Sequence, residues 1–172
     1  TDVGHRQARA VAAWLATEPI DALYTSPMTR ARQTVEPLAR VLGMEATAIP
    51  EVQEYDAADS SYIPLEVLRQ DKEAWRRFLL EDSGTDRSVF GAMVAAALEQ
   101  VIARHPGQRV VVMCHGGVIN VWAAHLLGLS PQMIFNPDYT SINRFMAAGS
   151  GERSILSLNE SAHFRGATDL QL

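Results

Sequence analysis

The fold of this chain is decided by the stretch Arg109-Val110-Val111-Val112-Met113-Cys114-His115-Gly116-Gly117. Its near-continuous apolar run is typical of a strand covered on both faces of a parallel sheet, and we predict it to be the central strand. An imidazole, His115, follows this strand, and the two glycines allow a backbone to come close to a ligand. A helix predicted over 118–127 then offers N–H donors to an anion such as phosphate. A satisfied core histidine beside a tight turn is the alternative interpretation of His115.

Strands and helices alternate along the rest of the chain. Periodicity predicts helices over 1–17, 27–42, 65–80 and 89–105, and β-prone runs predict strands over 21–25, 45–49, 141–147 and 153–158. The turn Gly149-Ser150-Gly151 joins the last two strands. This alternation predicts an α/β fold, a three-layer α/β/α sandwich with a mostly parallel central sheet. The 172 residues fit a single domain with one core.

The composition limits the partners and the compartment. Hydrophobic residues make up 47% of the chain and charged residues 20%, as in an ordinary soluble globular protein. The formal net charge of −5 provides no global positive field for nucleic acid or an anionic membrane, so any anion needs a local site. The single cysteine, Cys114, excludes an internal disulfide and disfavours a zinc site, so we expect a cytoplasmic protein. No apolar run approaches the ~20 residues that span a bilayer.

A second predicted strand end carries a cation. The strand ending at Thr25 leads into Ser26-Pro27, which predicts Ser26 as a helix N-cap and Pro27 as the first helical residue. Arg30 then lies in the opening turn, where the helix dipole disfavours a cation by roughly 0.3 kcal/mol or more. Because ligands gather at the carboxyl ends of strands in open α/β sheets, Arg30 indicates a bound anion. A surface salt bridge is the alternative interpretation.

An acidic residue, Glu54, lies in the segment 50–64, which lacks a clear period and is interpreted as a functional loop. A carboxyl group held close to a phosphate dianion can stay protonated and serve as a general acid. The alternative interpretation is that Glu54 belongs to an ordinary solvated acidic loop and has no catalytic role.

Taken together, these segments resemble the histidine phosphatase superfamily, the phosphoglycerate-mutase-like proteins, over nearly the whole chain. Four stretches carry the resemblance: Thr1-Asp2-Val3-Gly4-His5-Arg6-Gln7-Ala8, Thr25-Ser26-Pro27-Met28-Thr29-Arg30-Ala31-Arg32-Gln33-Thr34, Val112-Met113-Cys114-His115-Gly116-Gly117 and Leu158-Asn159-Glu160-Ser161-Ala162-His163-Phe164. The resemblance implies that Arg30 binds the transferred phosphate and that His115 is the second active-site histidine. It further implies that Glu54 is the acid, that donors near Gly116 contact the phosphate, and that no metal or cofactor is required.

The family's nucleophile lies in an Arg-His-Gly motif at the end of a first β-strand, before the helix that corresponds to 1–17. Residues 1–172 contain no such motif. A βαβ architecture also needs a strand before this helix. We therefore expect residues 1–172 to be a single phosphoglycerate-mutase-like domain that lacks its first strand and nucleophile loop in this sequence.

The resemblance implies a phosphomonoesterase that acts through a covalent phosphohistidine on a small phosphorylated metabolite. The compact stretch from Glu54 to His115 favours a phosphatase over the alternative, a phosphoglycerate mutase-type transfer. If the nucleophile is truly absent, the alternative is a non-catalytic domain that binds a phosphate ligand. A nucleotide-binding domain is disfavoured because the chain contains neither a G-x-G-x-x-G pattern nor a P-loop.

The sequence leaves the substrate open and names only regions that could select it. These are the loop 56–64, the helix containing Trp75 and the segment Phe135-Asn136-Pro137-Asp138-Tyr139. The expected partner is a small phosphorylated substrate, with neither nucleic acid nor membrane. The oligomeric state is open as well, with a homodimer as one option.

Overall fold

The computed structural model describes residues 1–55, 71–73, 87–167 and 170. Its α-helices are α1 (Asp2–Leu15), α2 (Thr29–Leu42), α3 (Arg87–Arg104) and α4 (Gly116–Leu126). Its strands are β1 (Ala22–Thr25), β2 (Ala46–Ala48), β3 (Val110–Met113), β4 (Ile142–Ala147) and β5 (Arg153–Glu160). Short 3-10 helices lie at Pro50–Val52 and Ala162–Phe164. The predicted helix over 65–80 and loop over 56–64 lie outside the described residues, apart from 71–73.

The described strands form two sheets. One is parallel, with the order β2, β1, β3, and it pairs Thr25 of β1 with Met113 of β3. The other is the antiparallel pair β4 and β5, joined by the predicted glycine turn, in which Gly151 has a φ of 108°. The α/β class and its mostly parallel sheet are therefore confirmed.

Helices pack on both faces of the parallel sheet, because alternate strand residues point to opposite sides. On one face, Leu23 and Val111 join an apolar cluster with α1 and α2. On the other, Val112 and Cys114 pack against a cluster built from α3 and α4. This arrangement confirms the predicted three-layer sandwich.

Two details of the sequence prediction are wrong. The central strand of the described parallel sheet is β1, whereas β3 lies at its edge, and all four β3 residues are only half-buried. Helix α2 begins at Thr29 rather than Pro27, with Met28 as its N-cap. Ser26 is not the cap because its hydroxyl accepts the N–H of Met28 at 3.2 Å, one residue before the helix. The end of α2 is as predicted, with Gly43 in the left-handed conformation at φ 64°.

Charged contacts attach the β4–β5 hairpin to Glu18, in the segment that follows α1. Both terminal nitrogens of Arg144, in β4, donate hydrogen bonds to the carboxylate of Glu18, at 2.6 and 3.0 Å. The Nε of Arg144 donates a hydrogen bond to Glu160 at 3.2 Å. Arg109 donates to the same Glu18 carboxylate at 2.6 Å. The hydrogen bond from Arg144 is the largest cause that lowers the pKa of Glu18 below its ordinary value of 4.5.

Replacing Glu18 by Gln is expected to lower the free energy of unfolding by about 1 to 2 kcal/mol near neutral pH, because it removes charged hydrogen bonds to two arginines. The folded protein holds this carboxyl at a lowered pKa, so its stabilisation is present above about pH 4.5 and is lost as the pH falls through the folded-state value. Urea unfolding of both proteins across this range measures the difference. A stability gap that stays constant as the protein is acidified would contradict the ion-pair explanation.

Candidate active site

The imidazole of His115 lies at the end of β3 between a cation and a hydroxyl. Arg30 Nε donates to His115 Nδ1 at 3.2 Å, so Nδ1 is the acceptor and the proton of the neutral ring is on Nε2. His115 Nε2 in turn donates to Ser26 Oγ at 2.8 Å. Both Ser26 and His115 are buried. The structure therefore brings Arg30 and His115 together as the sequence analysis requires, and it adds Ser26 as the group that orients the imidazole.

Strand pairing explains why these residues meet. Because β1 and β3 are parallel and in register, their carboxyl ends coincide, and Ser26 N donates to Met113 O at 2.8 Å just beyond the ladder. Arg30 follows in the first turn of α2, on the same edge of the sheet. The role of Ser26 is not apparent from the sequence, because a serine before a proline is also a typical N-cap signal.

Burial keeps His115 neutral. Burial and, to a smaller extent, the positive charge of Arg30 together lower the pKa of the imidazole from 6.5 to about 4. Near neutral pH the ring therefore carries no charge, and the guanidinium is the cation beside it. An anion placed against both groups would favour protonation of the ring.

The carboxylate of Glu54 lies at the start of α4. Its two oxygens accept the N–H of Gly117 at 3.0 Å and the N–H of Tyr55 at 3.1 Å. This close approach requires a glycine, because a Cβ at position 117 would lie 2.1 Å from Glu54 Oε1 and 2.8 Å from the Tyr55 ring. The second glycine of the motif therefore makes space for the acid, a function that spacing alone did not reveal.

The first glycine of the motif borders a different neighbour. A Cβ at Gly116 would lie 3.7 Å from the side chain of Pro137. Among the described residues no protein acceptor contacts the N–H of Gly116, so this donor is available at the helix start. Burial raises the pKa of the neighbouring Cys114 thiol to about 12, which keeps it protonated and makes it a poor nucleophile. The assignment of Gly116 to substrate binding stays a prediction.

A buried amide, Asn120, connects α4 with the segment that follows it. Its side chain is fully buried and donates to the carbonyls of Gly116 and Phe135, at 2.9 and 3.0 Å. Its Oδ1 accepts the N–H groups of Ile134 and Phe135, at 2.6 and 3.1 Å. An isolated amide within the apolar run of this helix is the only sequence signal for the role of Asn120, and it was not among the predicted site residues.

This arrangement suits the binding of a small anion. The guanidinium of Arg30, the neutral imidazole of His115 and the backbone N–H of Gly116 lie at the ends of adjacent parallel strands, and the start of the helix holds the carboxyl group of Glu54 in place. Within the described ranges, no group of three or more His, Cys, Asp or Glu is arranged to hold a metal ion. None of the helices described is long and apolar enough to cross a membrane.

The fold is that of an α/β domain whose candidate site, with Arg30 and His115 in contact, lies at the ends of adjacent parallel strands. A family model of the histidine phosphatase superfamily, branch 1, matches residues 1–161, and the chain belongs to this superfamily.

Its relatives include proteins named probable phosphoglycerate mutase GpmB. The chain is 27% identical to the one from Yersinia enterocolitica over 138 residues, which is 76% of this chain and 64% of the relative. It is 28% identical to the one from Photorhabdus laumondii over 136 residues, which is 75% of this chain and 63% of the relative. The chain thus spans less than two thirds of the length of these relatives.

Solved structures share the fold. A mycobacterial glucosyl-3-phosphoglycerate phosphatase superposes with a TM-score of 0.78 at 19% identity, covering 94% of this chain and 87% of that one. A phosphoserine phosphatase from Entamoeba histolytica, in complex with 3-phosphoglyceric acid, superposes with a TM-score of 0.73 at 23% identity. The match covers 92% of this chain and 83% of that one. At these identities the likeness establishes the fold alone.

The Arg30→Met variant is expected to raise the pKa of His115 above about 4, because it removes the neighbouring positive charge. The pKa should stay below 6.5, since burial is the larger cause. An NMR titration of the imidazole nitrogens measures this, and Arg32→Met, which changes an exposed arginine of the same helix, is the matched control. An unchanged His115 titration in Arg30→Met would show that the two groups do not interact in solution.

Proposed function

We propose that this protein is a phosphomonoesterase that acts on a small phosphorylated metabolite through a phosphohistidine intermediate. The observation that carries the proposal is the contact of Arg30 with the neutral His115, beside the N–H of Gly116 and the fixed carboxyl group of Glu54. A guanidinium and hydrogen-bond donors at one point stabilise the charge that spreads over the non-bridging oxygens of a transferring phosphoryl group. Membership in the superfamily supports the same chemistry.

The nucleophile is proposed to come from a strand that precedes α1. One edge of β3 pairs with β1, and no strand among the described residues pairs with the other. The strand β3 lines a cavity of about 1840 Å³, which is also lined by β4. An apolar edge strand left open is an aggregation hazard that proteins normally cover. A strand in this cavity, parallel to β3, would deliver the residue after its carboxyl end next to His115.

The reaction would then proceed in two displacements. The upstream histidine attacks phosphorus and forms an N–P bond, while the ester P–O bond breaks and the leaving alkoxide takes a proton from Glu54. Glu54, now ionised, removes a proton from water, which attacks the phosphohistidine. The N–P bond breaks, the histidine is regenerated and inorganic phosphate leaves. Arg30, His115 and the N–H of Gly116 hold the non-bridging oxygens in both steps.

Hydrolysis is favoured over mutase transfer by the short stretch of chain between Glu54 and His115. The similar solved structures that are named as phosphatases support this choice, whereas the relatives named as probable phosphoglycerate mutases support the alternative. A non-catalytic domain that binds a phosphate ligand is the further alternative if no upstream nucleophile exists. The lone cysteine favours a reducing compartment, for which we propose the cytoplasm.

Protein expressed from its complete gene is expected to release inorganic phosphate from small phosphomonoesters without added metal. A labelled phosphoryl group should remain on the protein after rapid quenching in base and be lost in acid, as expected for phosphohistidine. Turnover of phosphoglycerate alone, with no phosphate release, would contradict the phosphatase and support the mutase. If the protein shows no turnover and takes up no label, the result would support the non-catalytic binding domain.

The Gly117→Ala variant is expected to lose about a hundredfold or more in kcat on an alkyl phosphate, because the added Cβ displaces the Glu54 carboxyl group that protonates the leaving alkoxide. The loss should be much smaller on p-nitrophenyl phosphate, whose leaving group needs no proton.

The matched control for this experiment is Gly149→Ala. A Cβ at position 149 meets no atom within 4 Å, so kcat should be unchanged on both substrates. An equal loss on the alkyl and the nitrophenyl ester in Gly117→Ala would argue against Glu54 as the general acid.

A further inference from the structure

The two ring nitrogens of His115 make hydrogen bonds of opposite kinds. Arg30 Nε can only donate, so His115 Nδ1 accepts this bond, at 3.2 Å, and carries no proton. His115 Nε2 then carries the proton of the neutral ring and donates it to Ser26 Oγ at 2.8 Å. A further proton can therefore be taken up only at Nδ1, the nitrogen beside the guanidinium.

The hydroxyl oxygen of Ser26 is held in place by its own neighbours. Ser26 is fully buried, and its N–H donates to Met113 O at 2.8 Å. Its carbonyl accepts the hydroxyl of Thr25 at 3.0 Å, and its Oγ accepts the N–H of Met28 at 3.2 Å. A hydroxyl oxygen has two acceptor positions, and the second one receives His115 Nε2–H. The backbone around Ser26 thus sets the direction of the imidazole.

The charged and titratable groups at the ring come from three elements. Arg30, in α2, is the cation, and together with burial it holds the pKa of His115 at about 4. Cys114, at the end of β3, stays protonated because burial raises the pKa of its thiol to about 12. Glu54 comes from the loop and accepts the N–H of Gly117, two residues after the ring. In the free protein the charge that acts on the imidazole is therefore positive and opposes its protonation.

A phosphoryl dianion reverses this situation. Because Arg30 Nε and His115 Nδ1 are in contact, an anion that binds the first also approaches the second. A bare Nδ1 repels the phosphoryl oxygen, whereas a protonated Nδ1 donates a charged hydrogen bond to it. Protonation also ends the contact between the two side chains, since two donors do not bind each other. Binding of the dianion therefore favours uptake of a proton at Nδ1.

We propose that Ser26 is a positioning residue, which keeps Nδ1 of His115 directed at the phosphoryl group and stabilises the ring when Nδ1 takes up a proton. Its oxygen accepts Nε2–H from the neutral ring and from the imidazolium, and the bond from the charged donor is the stronger one. Without this acceptor, the Nε2–H of the charged ring would be buried and unpaired. The proposal rests on the phosphate site of the proposed function.

The test follows the protonation of His115 itself, by ¹⁵N NMR titration of protein expressed from its complete gene, with and without saturating sulfate. Sulfate is a tetrahedral dianion that brings no proton of its own. In the wild-type protein, sulfate should strengthen protonation of the ring about tenfold or more, with both nitrogens protonated in the complex. In the sulfate complex of Ser26→Ala, protonation should be about tenfold weaker than in the wild-type complex, because the charged hydrogen bond is lost.

A second variant and a control separate this role from a merely structural one. Ser26→Cys keeps nearly the same side-chain size but offers only a weak acceptor, so it should behave like Ser26→Ala, and it tests the same step if the alanine variant does not fold. Thr25→Val removes the neighbouring buried hydroxyl, which donates to the Ser26 carbonyl rather than to the ring. Its His115 should titrate as in the wild-type protein, with and without sulfate.

Each outcome decides between the positioning role and the proposed function. Ser26 variants whose His115 titrates as in the wild-type complex would overturn the positioning role, even if the enzyme releases phosphate. Protonation that depends on Ser26, in a protein that hydrolyses no ester, would support the positioning role and contradict the proposed hydrolysis. If sulfate leaves the titration of wild-type His115 unchanged, both proposals would be wrong.

Discussion

The parallel pairing of β1 with β3 is the constraint on which the candidate site depends. Thr25 lies opposite Met113, so the residues that follow each strand, Ser26 and the histidine two positions beyond Met113, can meet at 2.8 Å. A slip of one residue would move the strands by about 3.3 Å and turn alternate side chains to the opposite face. His115 would then lose both Arg30 and Ser26. The apolar packing on the two faces of the sheet, which fixes this register, therefore also fixes the chemistry.

The start of α4 imposes the second constraint. His115 is the N-cap of this helix but makes no side-chain cap, because its ring is directed to Arg30 and Ser26. The carboxyl group of Glu54 accepts the N–H of Gly117 instead, at 3.0 Å. The cap is thus supplied by a distant loop rather than by the helix itself. Because Gly117 has no side chain, the Glu54 carboxyl group can lie against the first turn of α4, two residues after His115.

The sequence could predict the elements because their signals are local. Gly43 ends α2, and the apolar run at 110–113 forms a strand, as their residue types require. What it could not predict depends on which residues meet in space. Ser26 carries the signal of an N-cap yet orients His115, since a hydroxyl near a helix start can bind either group. The apolar run of β3 indicated a covered central strand, but periodicity records only that both faces are apolar and does not identify the neighbouring strands.

In the described part of the chain, the β4–β5 hairpin is attached by its side chains and not by strand pairing with the parallel sheet. The hairpin does not pair with β3, and polar contacts hold it instead: Arg144 binds Glu18, and Arg153 binds Glu99 at 2.6 Å. Ion pairs of this kind tolerate water at their edges, whereas apolar contacts stabilise only when they exclude it. Residues of the hairpin and of β3 line the same cavity of about 1840 Å³. A strand entering this cavity would bury the apolar side chains of β3 and satisfy its free edge, so completing the core and completing the site would be one event.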